Sequence, residues 1–313
     1  MNLGRQTTLR NPAIMSGIGV HSNAAVSIVL HPAEADTGIR FCRTGLPGRK
    51  PRTIAAHWSR VIMTELCTVI GDGAQASVAT IEHLLAAFRG LGIDNALVEI
   101  DGPEVPIMDG SAAQFVDLID EAGIEMLSAP CRYIKVVRPV RVVNGRSFCE
   151  LRPAEDADET GLHLDVEIDF DCAAIGRQKK SIDLVPGLFR RELARARTFG
   201  FLADVERLCK AGFALGASLE NTIALQGERV LNPEGLRYAD EFVRHKVLDA
   251  IGDLALAGGR IIGQFRSHCG GHRMNVAVLK ALFSDPSAFQ QVDLVPARIP
   301  AVNPAHVENW LSV

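Results

Sequence analysis

Four short stretches carry the side chains that could do chemistry. In Arg244-His245-Lys246-Val247-Leu248-Asp249-Ala250-Ile251-Gly252-Asp253 an imidazole and a carboxylate stand four residues apart. On a helix that spacing projects His245 and Asp249 from one face, with Asp253 one turn further along. Such a pair can bind one metal ion, and Asp253 could then orient a ligand from behind. Taken alone, the stretch reads first as a solvated helix face, because charges at helical spacing are common. Thr80-Ile81-Glu82-His83-Leu84-Leu85 adds a third donor: His83 could complete the set while Glu82 reaches water at the metal. Two histidines and an aspartate leave a fourth position open, the usual arrangement of a catalytic zinc site.

Two further stretches offer partners for that chemistry. In Cys269-Gly270-Gly271-His272 the adjacent glycines allow a tight loop that would present His272 at a site. Alone, it reads first as a turn with an incidental surface histidine. In Ala196-Arg197-Thr198-Phe199-Gly200-Phe201 the Thr198 hydroxyl could donate to an oxyanion, while Phe199 and Phe201 line an apolar groove. Core packing is the commoner fate of such aromatics.

The elements that must position these residues follow from periodicity. Residues 78–90 have helical spacing, with Ile81, Leu84, Leu85 and Phe88 on one face. Residues 241–256 form the clearest helix of the second half, ended by Gly258-Gly259. Residues 112–121, 188–195 and 202–211 are further helical segments, the first preceded by a turn and cap at Asp109-Gly110-Ser111. Strands are expected at 25–30, 67–70, 96–100, 133–137, 140–143 and 162–170, with another starting at 261–263. The pattern breaks at Ser128-Ala129-Pro130, which divides the chain into an N-terminal domain, 1–129, and a C-terminal domain, 130–313. Segregated strands and helices indicate an α+β fold without an alternating dinucleotide-binding unit.

The composition narrows the function. With 313 residues, 47% of them hydrophobic, the chain can bury a sizeable core. A net charge of −4 and only 5% aromatics argue against a nucleic-acid partner. The polar N-terminus lacks a signal-peptide core, and no apolar run approaches the ~20 residues of a membrane span, so no stable membrane insertion is expected. Seven scattered cysteines with no CxxC pair read as reduced thiols of a cytoplasmic protein. Nothing in the sequence calls for an oligomer, and a monomer is expected.

The stretches also occur as an ordered set. They run from Gly17-Ile18-Gly19-Val20-His21 through Leu66-Cys67-Thr68, Thr80-Ile81-Glu82-His83-Leu84, Gly92-Ile93-Asp94-Asn95 and Pro106-Ile107-Met108-Asp109-Gly110-Ser111-Ala112. Ala196-Arg197-Thr198-Phe199-Gly200-Phe201, Arg229-Val230-Leu231-Asn232 and Asp240-Glu241-Phe242-Val243-Arg244-His245-Lys246 follow. Over nearly its whole length the chain resembles the bacterial UDP-3-O-acyl-N-acetylglucosamine deacetylases, zinc enzymes at the committed step of lipid A biosynthesis.

The resemblance implies two similar two-layer α+β domains, their helices sandwiched between two outer sheets. It also implies a β-α-β insertion at about 196–224 that forms an apolar passage for the acyl chain. His83, His245 and Asp249 match the zinc ligands, a set that suits ferrous iron as well. Glu82 matches the base, His272 the catalytic histidine, Asp253 its electrostatic support and Thr198 the residue polarising the carbonyl. Phe199, Phe201, Val205, Ala214 and Ser218 fall along the acyl passage. Lys246 and Phe170 match residues near the nucleotide sugar, His21 is grouped with the substrate-binding residues, and Cys67 matches a cysteine near the metal that can hold an extra, inhibitory zinc. The implied substrate is an acylated UDP-amino sugar, which loses its N-acetyl group as acetate. Two positions depart from the family pattern: Cys269 stands where a lysine for the diphosphate is common, and Asp169-Phe170-Asp171-Cys172-Ala173 replaces an Asp-Phe-Asn-His-Pro stretch. Two rival readings are a zinc amidohydrolase for another acylated sugar and a non-catalytic nucleotide-sugar-binding paralogue.

Overall fold

The computed structural model describes residues 4–46, 48–73, 76–155 and 160–294. Its architecture is mixed α+β, with helices lying between two large sheets. The five-stranded sheet has the order Ala13–Ile18, Ala25–His31, Ala96–Ile100, Ile39–Arg43, Arg52–Ala55. Its strands alternate as a half-buried sheet should: Val26, Ile28 and Leu30 point inward while Ala25, Ser27 and Val29 are more open. The eight-stranded sheet is built around Arg260–His268, which pairs in parallel with Leu162–Asp169 and Ile124–Val136 and antiparallel with Ser147–Arg152.

The helices between the sheets come from both halves of the sequence. Glu82–Leu91 packs against Glu241–Ala255, which lies on the strands Leu162–Asp169 and Arg177–Asp183. Ala113–Ala122 covers Ala13–Ile18, and His272–Ser284 covers Val140–Asn144 and Ser147–Arg152. One continuous apolar core results, with Phe41, Phe88, Phe115, Phe242 and Phe265 fully buried in it. The crossing of the two central helices is unusually close at Gly252. A Cβ there would lie 2.0 Å from the Glu82 carbonyl oxygen, so only glycine fits.

The insertion is a strand-helix-strand unit. Phe199–Phe201 and Ile223–Gln226 run parallel, joined through the helix Leu202–Lys210, and Arg229–Val230 adds a third, antiparallel strand.

Several local expectations need correction. No chain break occurs at Ser128-Ala129-Pro130, because Ile124–Val136 is one thirteen-residue strand. Pro130 sits where that strand changes partner, from Arg5–Leu9 to Phe289–Leu294. A missing N–H is tolerated at such a position. The first helix begins at Glu82, four residues later than periodicity indicates. Ser77–Val78 is a strand, and Thr80 takes a left-handed φ of 55°, which stops any helix from starting earlier. His272 is not on a loop but opens the helix His272–Ser284, with Gly271 in extended conformation before it. The segment 188–195 holds a single π-helical stretch, Phe189–Leu193. Arg177–Asp183 and Ser147–Arg152 are strands the sequence pattern does not reveal.

Candidate metal centre and active site

The close crossing at Gly252 brings the first turn of Glu82–Leu91 against the middle of Glu241–Ala255. His83, His245 and Asp249 meet there, all buried, each offering one donor atom within 4.8 Å of the others. Asp249 Oδ1 lies 3.6 Å from His83 Nε2 and 3.3 Å from His245 Nε2. That oxygen is buried and accepts no hydrogen bond. An unpartnered buried carboxylate oxygen facing two imidazole nitrogens is what a cation would satisfy, so the donor set fits a metal ion.

The charge states suit that use. Burial pushes the His245 pKa down to about 3, which keeps its ring neutral and able to donate an electron pair. Its Nδ1 lies 3.1 Å from the Ala196 carbonyl, to which it donates, leaving Nε2 free. Burial alone would raise the Asp249 carboxyl, but His245 and Lys246 outweigh it and hold the group well below the ordinary range. The second oxygen of Asp249 accepts from Lys246 Nζ at 2.6 Å.

Glu82 and His272 flank this group. His272 Nε2 is 3.8 Å from Glu82 Oε1 and 4.0 Å from Asp249 Oδ2. Burial raises the Glu82 pKa, which poises the carboxylate as a proton acceptor. Burial would lower that of His272, but Asp253 and Glu82 override it and hold it at about 10. His272 is therefore an imidazolium at neutral pH. Asp253 is 2.9 Å from His272 Nδ1 and is itself held by Thr68 Oγ1 at 2.6 Å and Asn275 Nδ2 at 2.9 Å.

Thr198 leaves the strand Phe199–Phe201 beside the Pro106-to-Ala112 loop. Its N–H donates to the Gly110 carbonyl and its own carbonyl accepts from Ile223, both at 2.8 Å. Gly110 has φ 82° and no room for a Cβ, which would sit 1.9 Å from the Asn221 carbonyl. Phe199, half-buried, contacts the His245 ring edge at 6.3 Å between centroids and stacks edge-on with Phe170 at 5.7 Å. Phe201 lies 6.2 Å from Phe170, and Lys246 Nζ is 5.5 Å above the Phe199 ring. Phe170, Phe199 and Phe201 therefore form one aromatic wall beside the metal group, with Lys246 over it.

His21 lies in a turn that packs against the insertion. Its Nδ1 accepts from the Ala214 N–H at 3.3 Å, and its ring packs edge-on against Phe213 at 5.4 Å. Val205 and Ala214 are partly covered, whereas Ser218 is exposed and its N–H donates to Asn221 Oδ1 at 2.9 Å. Cys67 is buried, and burial together with Glu82 pushes its thiol up to about 12. Of the basic side chains near Cys269, Arg266 and His268 already face carboxylates, Asp165 at 3.8 Å and Glu167 at 3.2 Å.

Four supporting residues lie outside what sequence reasoning identifies. Thr68 links both carboxylates, its N–H donating to Glu82 Oε2 at 3.1 Å and its hydroxyl to Asp253. Asn275 stands one helical turn after His272, and that spacing is the one signal of it in the sequence. Glu104 is buried and accepts from the His21 N–H at 3.0 Å, the Ser22 N–H at 2.9 Å and the Thr80 hydroxyl at 2.8 Å, tying the His21 turn to the start of the metal-bearing helix. Arg197 is buried against Glu241, which accepts from its Nε at 2.9 Å and its backbone N–H at 3.0 Å. This pair fixes Ala196 and Thr198 to the helix that carries His245.

The chain is similar to known proteins over most of its length. A family model described as UDP-3-O-acyl N-acetylglycosamine deacetylase matches residues 6–284. Proteins of Brucella ovis, Brucella canis and Brucella melitensis biotype 2, each named UDP-3-O-acyl-N-acetylglucosamine deacetylase, are 48% identical to the chain over 289 residues, covering 92% of it and 98% of each relative. The buried His-His-Asp group thus sits in a chain that belongs to the UDP-3-O-acyl N-acetylglycosamine deacetylase family.

Proposed function

We infer that this protein removes the N-acetyl group of UDP-3-O-acyl-N-acetylglucosamine in lipid A biosynthesis, giving acetate and the free amine. The observation that carries this reading is the His83–His245–Asp249 group with Glu82 and His272 beside it, in a chain of this family. We take zinc as the ion, with ferrous iron the alternative the donors also suit. When bound, the ion supplies Lewis acidity toward the acetamide carbonyl and toward water.

The chain's own residues do the rest. Glu82 takes the proton of the attacking water at its carboxylate. The His272 imidazolium faces the developing oxyanion and then gives its Nε2 proton to the departing amine nitrogen. Asp253, at the other ring nitrogen, holds that imidazole in place and favours its charged form. Thr198 adds a hydrogen bond to the oxyanion. The wall of Phe170, Phe199 and Phe201 takes the acyl chain, with Val205, Ala214 and Ser218 further along, while Lys246 meets the nucleotide sugar. His21 borders the substrate from the opposite turn, and Cys67 lies behind Glu82. We assign these roles to two units joined near residue 129, each contributing one of the central helices. A cytoplasmic location is part of the same proposal; all seven cysteines are free thiols, and no described helix is long and apolar enough to cross a membrane.

Turnover of UDP-3-O-acyl-N-acetylglucosamine against plain UDP-N-acetylglucosamine tests the substrate. A strong preference for the acylated sugar is expected, because the aromatic wall has an apolar chain to bury. Equal rates on both would point to another acylated sugar or another amide.

A further inference from the structure

A second cavity, of about 540 Å³, opens at the far end of the Glu82–Leu91 helix from the metal group. None of its lining residues belongs to the site described above. Its wall is largely apolar, formed by Leu91, Leu162, Val185, Ile251, Leu254 and Ile261. Arg89 and Arg260 border it, as does the carboxylate of Asp183, whose Oδ1 lies 2.7 Å from His163 Nδ1.

The two arginines are unequally served. Arg260 is well served: Nε and Nη2 donate to the two oxygens of Asp94 at 2.8 and 2.7 Å, and Nη2 also donates to the Gly92 carbonyl at 2.9 Å. Asp94 further accepts the Thr7 N–H at 2.9 Å. Arg89 is left with a long approach of 3.7 Å from Nη1 to the same carboxylate, although its side chain is only 12% exposed. Neither its Nε nor its Nη1 has a hydrogen-bond partner, and both atoms are shielded from solvent, so an anion meets them only when the side chain turns toward the cavity. Two guanidinium groups thus share one carboxylate, and one positive charge stays uncompensated beside an apolar cavity. A buried charge without a counter-ion is costly, and an anion that enters there removes the cost.

We propose that this cavity binds a single-chain amphiphile with a carboxylate head, the head at Arg89 and the chain along Leu91, Ile251 and Leu254. The volume lies in the range of small-ligand sites, and a mostly apolar wall with one convergent cation matches such a ligand. The site is separate from the acyl passage, whose wall is Phe170, Phe199 and Phe201.

Isothermal titration calorimetry on the full chain tests this with three probes: octanoate, acetate as the head without the chain, and 1-octanol as the chain without the head. Octanoate is expected to bind one to one, with 1-octanol weaker by roughly tenfold or more, the scale of one charge-assisted hydrogen bond with a buried partner, and acetate weaker still because it buries no chain. Arg89→Met should weaken octanoate by a similar factor and Arg89→Lys by less. Val185→Trp puts a larger side chain on a lining residue that is 46% exposed, and should block octanoate even if Arg89→Met does not fold. No binding of octanoate, equal binding of 1-octanol, or octanoate binding unchanged in Val185→Trp would each overturn the proposal, the last by placing the probe in another site.

Discussion

Asp253 Oδ2 lies 2.9 Å from His272 Nδ1, and the contact leaves Nε2 as the ring nitrogen that faces Glu82 and Asp249. This relationship sets the charge of the histidine at the reacting end of the site. Burial opposes the imidazolium, and Asp253 is the largest of the groups that reverse that effect. Asp253→Asn should therefore lower the His272 pKa from about 10 by about one unit or more. The protonated form is the active one, so activity is present below that pKa and lost as pH rises through it. The alkaline limb of the pH–rate profile should move to lower pH in the variant, with the acid limb, set by Glu82, left in place. An unmoved alkaline limb would dissociate Asp253 from His272.

Thr68→Val keeps the shape of the side chain but deletes the hydroxyl that serves Asp253 at 2.6 Å. A buried carboxylate oxygen then loses a donor, which costs about 1–3 kcal/mol. Urea denaturation should show a loss in that range. The N–H to Glu82 survives, so the acid limb of the pH profile should stay where it is.

Gly252→Ala separates packing from propensity. Alanine in an exposed helix would stabilise by ~1 kcal/mol. Here the new Cβ would meet the Glu82 carbonyl at 2.0 Å, so the two central helices must part. A net loss of about 1–3 kcal/mol is expected by thermal or chemical unfolding, together with weaker metal retention on dialysis. A stabilised variant would contradict the close crossing.

Arg197→Met leaves Glu241 charged and fully buried, and breaking such a pair costs about 3–5 kcal/mol. The double variant Arg197→Met with Glu241→Leu should recover much of that stability. It should not recover turnover, because Thr198 and the Ala196 carbonyl lose their anchor to the His245 helix. Restored turnover in the double variant would show that the pair serves stability alone.

Whether a residue is legible in the sequence depends on whether its role is local. His245, Asp249 and Asp253 share a helix face, so their i, i+4 spacing shows them as a set in the sequence, although that spacing alone reads first as a solvated face. The strand Leu162–Asp169 is equally plain, because its leucines, valine and isoleucine alternate with polar residues. Thr68, Glu104 and Arg197 cannot be found this way: each acts on residues distant in sequence, and nothing in its neighbours marks it. Arg177–Asp183 escapes for a related reason. It is an edge strand with a nearly continuous polar sequence, so one-sided burial never imprinted a hydrophobic period on it. Ser128-Ala129-Pro130 misleads in the opposite sense, since proline usually interrupts a strand but here marks the point where the pairing partner changes. The family resemblance groups His83 with His245, and the close approach at Gly252 supplies the physical reason they can meet.

The central claim is that the buried His83–His245–Asp249 group holds a metal ion on which acetate release depends. The most direct test measures metal content and acetate release together on the same sample, before chelation, after it and after add-back of zinc or ferrous ion, with Asp249→Ala alongside. About one ion per chain is expected, with loss of acetate release on loss of the ion, recovery on add-back, and neither ion nor activity in Asp249→Ala. Full acetate release from metal-free protein would contradict the claim.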